Sequence, residues 1–160
     1  MEERTINCRK VGVYDHVLIK GKSYTIRNEN EKMYKVVGEH GKTIGVDKTY
    51  FTKDSVIMLD SWTFDDEIED FDLVEATLIF SNGSKRWCLV TTPQKLVVHF
   101  DSENLDPPGM NIRHLIIVKS LARGDVEKTL KYLDSQDELE GASLRLESDL
   151  ESGNSREVST

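Results

Sequence analysis

Short runs in which apolar and polar residues alternate fill the first third of the chain. Such alternation is typical of half-buried strands, and the turn residues Gly21–Lys22 and His40–Lys42 are few enough to be hairpin connections. The pattern predicts five strands, at Thr5–Arg9, His16–Lys20, Ser23–Asn28, Tyr34–Glu39 and Thr43–Val46. Five short strands in so small a segment predict a β-barrel.

A second alternating pattern surrounds the dipeptide Asn82–Gly83. Leu73–Phe80 precedes it and Lys85–Thr91 follows it. Asn-Gly adopts positive φ easily, as a two-residue type I′ turn requires, so the pattern predicts an antiparallel hairpin over residues 73–91. Pro93 ends the hairpin, and either a short helix over 93–98 or another strand follows.

Later in the chain, a continuous apolar run is followed by apolar residues at helical spacing. His114–Val118 is bounded by charges and predicts a central strand. Val126, Leu130 and Leu133 lie at positions i, i+4 and i+7, which predicts a helix with Ser120 as its cap. A further edge strand is predicted at 142–146.

The charge of the chain changes sign near Asp54. Residues 1–54 carry 11 Lys and Arg against 8 Asp and Glu, a net charge of +3, whereas residues 55–160 carry 10 against 21, a net charge of −11. Blocks of opposite charge indicate two modules. We expect an α+β protein, with a small barrel over 1–54 and an antiparallel sheet with one main helix over 55–147. Residues 148–160 hold few apolar groups and are predicted to be a disordered tail.

The composition argues against several classes of protein. No apolar run reaches the roughly 18 residues of a membrane span, and Met1–Lys10 lacks the apolar core of a signal peptide. We therefore expect a soluble, cytoplasmic protein with no membrane partner. Cys8 and Cys88 lie far apart, so buried thiols are expected rather than a disulfide framework or metal ligands. No phosphate-binding loop, dinucleotide fingerprint or serine elbow is present.

Nucleophilic catalysis has one candidate thiol, Cys88, with His114 or His99 as its base. A reactive thiol needs an exposed, electropositive site, but Cys88 lies between Trp87 and Leu89 in the predicted hairpin. The four histidines do not have the spacing of metal ligands. We therefore predict a non-enzymatic protein with no cofactor, metal or catalytic residue, and keep the thiol site as a minor alternative.

The acidic segment after Trp62 is the main candidate for a functional surface. Aromatic side chains among carboxylates are the composition of a binding hot spot for a basic protein. Two simpler interpretations remain open. The segment is a solvated acidic linker, and its aromatic rings pack against the barrel. The predicted partner-binding residues are Trp62, Phe64, Asp65, Asp66, Glu67, Glu69, Asp70, Phe71 and Asp72.

The basic first module is a second candidate surface, for nucleic acid. Aromatic stacking with phosphate neutralisation is how small barrels hold single strands, and Lys20, Lys35 and Lys48 accompany several aromatic residues here. A net charge of +3 is small beside the −11 of the second block, which repels nucleic acid. The aromatic residues are therefore more simply explained as barrel core.

Two resemblances add to this picture. The order Gly21–Tyr24, Met33–Val37, Gly41–Lys42 and Val46–Phe51 resembles the SH3-like barrels of short proteins from bacilli and their phages, over residues 5–53. Such barrels mostly bind peptides, other domains or nucleic acid. The order Arg86–Pro93, His114–Val118 and Thr129–Gln136 is similar to that of uncharacterised bacterial α+β proteins. In size, acidity and lack of motifs, this part of the chain, about 80 residues, is also similar to immunity proteins and phage inhibitors of bacterial defence. This implies a protein that binds and blocks another protein, and a homodimer is a further alternative.

Overall fold

The computed structural model describes residues 2–147. In that part of the chain, ten strands and two α-helices form an α+β fold, as the sequence predicts. The chain divides into two compact units. Within the described residues, unit 1 joins residues 2–59 with Ala122–Glu140, and unit 2 joins Asp60–Leu121 with residues 141–147. The predicted tail at 148–160 lies outside the described residues.

Unit 1 is built on a five-stranded antiparallel sheet. Its strands lie in the order β4, β3, β2, β1, β5. They are β1 Thr5–Cys8, β2 Ser23–Glu29, β3 Met33–Val37, β4 Thr43–Asp47 and β5 Phe51–Thr52. Two short 3-10 helices, Gly12–Tyr14 and Lys48–Tyr50, lie between strands. Four of the five predicted strands are therefore confirmed.

Aromatic side chains help to form the core of this sheet. Phe51 makes edge-to-face contacts with Tyr24 and Tyr34, with ring centroids 6.4 Å and 5.8 Å apart. Val36 and Val46 are fully buried beside them. These rings stabilise the sheet because they bury apolar surface and because the ring quadrupole favours edge-to-face contacts.

The strand predicted at His16–Lys20 is wrong, because this segment is a turn. The backbone N–H groups of Val17 and Leu18 both donate to the carbonyl of Tyr14, at 2.9 and 2.8 Å. Val17 and Leu18 are both buried. Successive residues of a strand point to opposite faces, so two adjacent buried residues do not suit a sheet with one face in water.

The main helix belongs to unit 1 rather than to the second module. Helix α2 spans Arg123–Ser135 and buries Val126, Leu130 and Asp134, while Leu133 is half-buried. The apolar spacing thus predicts the helix correctly. Its N-cap residue is Ala122 instead of the predicted Ser120.

Contacts at the carboxyl end of α2 explain this placement. The backbone N–H of Val11 donates to the carbonyl of Ser135 at 2.9 Å, and Gln136 Nε2 donates to the carbonyl of Gly12 at 3.4 Å. The last carbonyls of a helix have no partner within it, and here the Val11 N–H satisfies the carbonyl of Ser135. The predicted boundary at residue 54 therefore differs from the structural division, in which unit 1 includes a segment from much later in the chain.

Unit 2 is built on a mixed sheet of five strands. Its main path runs β10, β8, β7, β6, and β9 pairs with β8 in parallel. The strands are β6 Leu59–Phe64, β7 Val74–Phe80, β8 Lys85–Thr91, β9 Leu115–Ile117 and β10 Leu144–Leu146. Antiparallel β10 pairs with Lys85–Trp87, and β9 pairs with Leu89–Thr91. The predicted edge strand β10 is confirmed, whereas β9 lies beside β8 at the edge and is not the predicted central strand.

The predicted hairpin over residues 73–91 is present, but its turn differs from the prediction. Phe80 and Ser84 close the loop, with the Phe80 N–H donating to the Ser84 carbonyl at 2.9 Å. Gly83 has φ of 81°, while the non-glycine residues of positive φ in the described range are His114 and Asp137. Asn82 therefore lacks the positive φ of a type I′ turn. A three-residue loop with glycine in the left-handed position joins the strands instead.

Helix α1, Pro93–Ser102, follows β8 directly. Thr92 is its N-cap, and the Thr92 hydroxyl accepts a hydrogen bond from the Lys95 N–H at 3.3 Å. Pro93 occupies the first turn, where its missing N–H removes no helical hydrogen bond. Of the two structures predicted after Pro93, the helix is confirmed.

Candidate partner-binding surface

The acidic loop, residues 65–72, connects β6 and β7. Its first two carboxylates are fixed to the neighbouring strand. Thr77 Oγ1 donates to Asp65 Oδ2 at 2.8 Å, and the backbone N–H of Glu75 donates to Asp66 Oδ2 at 3.0 Å. Asp65 and Asp66 therefore act mainly on the local structure, although both were predicted to bind a partner.

Lys95 of helix α1 holds the second half of the loop. Its Nζ donates to the backbone carbonyls of Ile68 and Phe71, at 2.8 and 2.9 Å. The hydroxyl of Thr91 donates to the carbonyl of Asp72 at 2.7 Å. Three carbonyls of one loop are thus bound by side chains of β8 and α1, so the loop is held in one conformation rather than solvated freely.

Three carboxylates of the loop remain available. Glu67, Glu69 and Asp70 are exposed, and no ion pair joins them to another residue of the described range. Phe71 follows them with 48% of its surface exposed. Asp72 is half-buried, and its Oδ2 lies 3.9 Å from His99 Nδ1 of α1.

Helix α1 adds apolar surface beside this loop. Val97, Val98 and Phe100 are exposed on it, and the helix buries none of its residues fully. Its Lys95 and His99 contact the loop, so α1 and the loop form one continuous region of unit 2. Helix α1 was not predicted as part of the candidate surface, because the spacing of its residues does not show which neighbour the helix lies against.

Trp62 and Phe64 are packing residues rather than exposed anchors. Trp62 is only 5% exposed. Its ring meets that of Phe64 edge to face, with centroids 5.0 Å apart. Of the three aromatic residues predicted to contact a partner, the structure therefore leaves Phe71 at the surface.

The basic residues predicted for nucleic acid lie in three different environments. Lys20 is 8% exposed and its Nζ donates to the carbonyl of Asp134 at 2.6 Å, so it is not available to a phosphate. Lys48 is half-buried, donates to Glu29 at 2.8 Å and lies 4.8 Å from the centre of the Tyr34 ring. Lys35 is exposed. These three lysines do not form one basic face.

The Cys88 thiol is fully buried. Burial, with a smaller contribution from the charge of Asp65, raises the pKa of Cys88 to about 12. A thiol of that pKa stays protonated near neutral pH, and the protonated form is a poor nucleophile. Burial likewise raises the pKa of Cys8 to about 11. These properties argue against the alternative of a catalytic thiol.

The described residues contain neither a metal-binding cluster nor a membrane-spanning helix. Between residues 2 and 147 no cluster of three or more His, Cys, Asp or Glu side chains is arranged to hold a metal ion. Within the same range no helix combines the length and the apolar character needed to cross a membrane.

Comparison with known proteins found one family match, in the first segment of the chain. The sheet of unit 1 lies within residues 5–52. Residues 4–54 match a family of unknown function (DUF6501). The DUF6501 match covers all five strands of unit 1 and ends before helix α2. No curated protein and no solved structure matches the chain.

Proposed function

We propose that this protein binds another protein with a basic surface and neutralises it, without catalysing a reaction. The observation that carries the proposal is the acidic loop. Lys95 holds the loop through hydrogen bonds to two of its backbone carbonyls. Glu67, Glu69 and Asp70 nevertheless remain exposed, and none of them forms an ion pair within the described range.

A fixed acidic loop suits this role for two reasons. Carboxylates of one sign steer an oppositely charged partner toward the surface and raise the association rate. A loop that is already ordered loses little conformational entropy on binding, so more of the contact energy appears as affinity. Phe71 and the apolar side chains of α1 form the apolar centre of the proposed interface, and the exposed carboxylates form its polar rim.

The biological setting that fits best is an immunity protein or a phage inhibitor of bacterial defence. Such proteins occupy a basic cleft of a toxin or nuclease by presenting acidic side chains in place of nucleic-acid phosphates. We place this protein in the cytoplasm, because its two buried thiols, Cys8 and Cys88, are free and suit a reducing compartment.

We further propose that the sheet of unit 1 is an SH3-like barrel. Its five short antiparallel strands, with a 3-10 helix before the last one, support this assignment. The barrel then acts as a scaffold rather than as a nucleic-acid site, since Lys20 is buried and Lys48 is paired with Glu29.

The test is capture of partners by the full-length protein from lysates of the native host and of bacteria that its phages infect. The loop variant carries Glu67→Lys, Glu69→Lys and Asp70→Lys. The matched control carries Glu3→Lys, Glu31→Lys and Glu138→Lys, which reverse three exposed acidic residues of unit 1 and change the net charge equally.

We expect wild type and control to capture a basic protein that is released as salt rises, and the loop variant to lose it. Equal capture by both variants would show that the acidic loop is not the binding site. Recovery of nucleic acid alone would favour the nucleic-acid alternative instead.

A further inference from the structure

One face of the sheet in unit 2 is fully buried. Residues 74, 76 and 78 of β7 and residues 88 and 90 of β8 have no exposed surface. Side chains alternate between the two faces of a strand, and residues opposite each other in register share a face. The remaining side chains of these strands therefore belong to the second face, which we call the open face.

The open face is largely apolar on β8, β9 and β10 and is incompletely covered, although Thr91 on it is fully buried. Trp87 lies opposite Leu144, Leu89 opposite Leu115, and Thr91 opposite Ile117. Leu144 is 48% exposed and Ile117 51% exposed, and Leu146 is exposed as well. Trp87, Leu89, Leu115 and Ile79 are half-buried. Adjacent exposed apolar side chains on several strands are a common mark of an interaction surface.

Glu75 and Lys85 stand at opposite ends of the open face, and Asp65 lies opposite Glu75 with its carboxylate bonded to Thr77 of the same face. Glu75 lies opposite Leu89, and Lys85 lies opposite Ile79. The pair Thr77 and Trp87 is midway between them in register. The side chains of Glu75 and Lys85 are both exposed, and neither makes an ion pair with another residue of the described range.

We propose that the open face is the contact between two copies of this chain in a symmetric dimer. A two-fold axis that crosses the strands at the level of Trp87 exchanges the two ends of the face. Glu75 of one copy then meets Lys85 of the other, and the apolar side chains meet each other. The two-fold places each exposed Glu75 near an exposed Lys85 of the other copy, while Asp65 on the same face is bonded to Thr77, so a second copy is an occupant whose charges complement those of the face.

Sedimentation velocity of the full-length protein over a concentration series tests the proposal. We expect a species of twice the 18.3 kDa chain mass at high concentration that dissociates on dilution. Leu144→Asp removes the dimer. The matched control Val13→Asp, at an exposed apolar residue of unit 1, keeps it. Circular dichroism and thermal unfolding confirm that both variants are folded, as exposed positions allow.

Charge exchange tests the two-fold geometry directly. Glu75→Lys and Lys85→Glu each raise the dissociation constant about tenfold, because each places like charges together twice across the axis. The double variant, or an equal mixture of the two single variants, recovers wild-type affinity. Single variants that weaken the dimer without recovery in the double variant would overturn this arrangement.

Two further outcomes would overturn the proposal. One is a chain that stays monomeric at the highest concentration that remains in solution. Truncation after Glu147 would then show whether the last residues cover the face, by increased binding of an apolar dye. The other is a dimer that is indifferent to Leu144→Asp, which would place the contact elsewhere. Charge reversal in the acidic loop leaves the dimer intact, so the two proposals fail separately.

Discussion

The ammonium group of Lys20 lies 3.1 Å from the carboxylate of Asp134, a residue 114 positions later in the chain. Both side chains are buried. The same carboxylate accepts a hydrogen bond from the backbone N–H of Leu59 at 3.0 Å. One buried ion pair thus ties the end of helix α2 to two separate parts of the first segment.

The first prediction concerns this ion pair. Lys20→Met leaves the Asp134 carboxylate buried without its counter-charge, and should lower the free energy of unfolding by about 3–5 kcal/mol. Lys22→Met is the matched control, because its partner Glu39 forms an exposed pair at 2.7 Å, worth at most about 1 kcal/mol. Urea unfolding measures both. Equal losses for the two variants would refute the special role of Lys20.

The second prediction concerns acid stability. Hydrogen bonds from Lys48 and Arg4 lower the pKa of Glu29 from 4.5 to about 2. A carboxylate with a lowered folded-state pKa stabilises the protein above the unfolded-state pKa, and this contribution is lost as pH falls through the folded-state value. Wild-type stability should therefore fall between about pH 4.5 and pH 2. Glu29→Gln should show a smaller fall over that range in urea titrations, and an unchanged pH dependence would contradict the prediction.

The third prediction concerns the thiols. Because burial raises the pKa of both Cys8 and Cys88, alkylation of the native protein at pH 8 should proceed only through unfolding. Labelling rates should rise with urea in proportion to the unfolded fraction, with peptide mass spectrometry identifying the site. Fast native labelling of Cys88 would revive the catalytic alternative with His114.

The fourth prediction separates loop order from charge in partner binding. Lys95→Met removes a positive charge from an acidic region, so electrostatics alone predicts tighter binding of a basic partner. It also removes the hydrogen bonds to Ile68 and Phe71 that hold the loop. We expect roughly tenfold weaker binding, measured by calorimetry with the captured partner, because the loop must then be ordered on binding. Tighter binding would mean that the loop acts through its charge alone.

The fifth prediction concerns the hairpin loop. Gly83 has φ of 81°, where a Cβ costs about 1–2 kcal/mol, so Gly83→Ala should destabilise unit 2 by that amount. Gly124→Ala in the first turn of α2 is the control, since a Cβ there meets no atom within 4 Å. It should stabilise the helix by up to about 1 kcal/mol. A neutral Gly83→Ala would mean that the loop takes another conformation.

Local patterns predicted the local elements of this protein well. Alternation identified β7 and β8, and the spacing of Val126 and Leu130 identified α2. The membership of α2 in unit 1 was not predictable in this way. Periodicity shows which side of a helix is buried, but not which part of the chain the helix joins. That choice depends on Lys20 and Asp134, whose pairing spans most of the chain.

The candidate surface was predicted only in part, and the reason is similar. Composition found the acidic loop and Phe71, but it treated all its carboxylates alike. Asp65 and Asp66 are bound to Thr77 and to the Glu75 N–H, contacts that arise only when β6 and β7 pair. Glu67, Glu69 and Asp70 differ from them by position, not by chemistry.

The division of the chain into interleaved segments has a consequence for synthesis on the ribosome. Unit 1 needs Asp134 to pair with Lys20, and unit 2 needs β10 to complete its sheet, so neither unit is complete until most of the chain has emerged. At about 5–20 residues per second, the wait between Lys20 and Asp134 is roughly 6–23 s. During that time unit 1 is incomplete, and incompletely folded chains expose the apolar surface that chaperones bind.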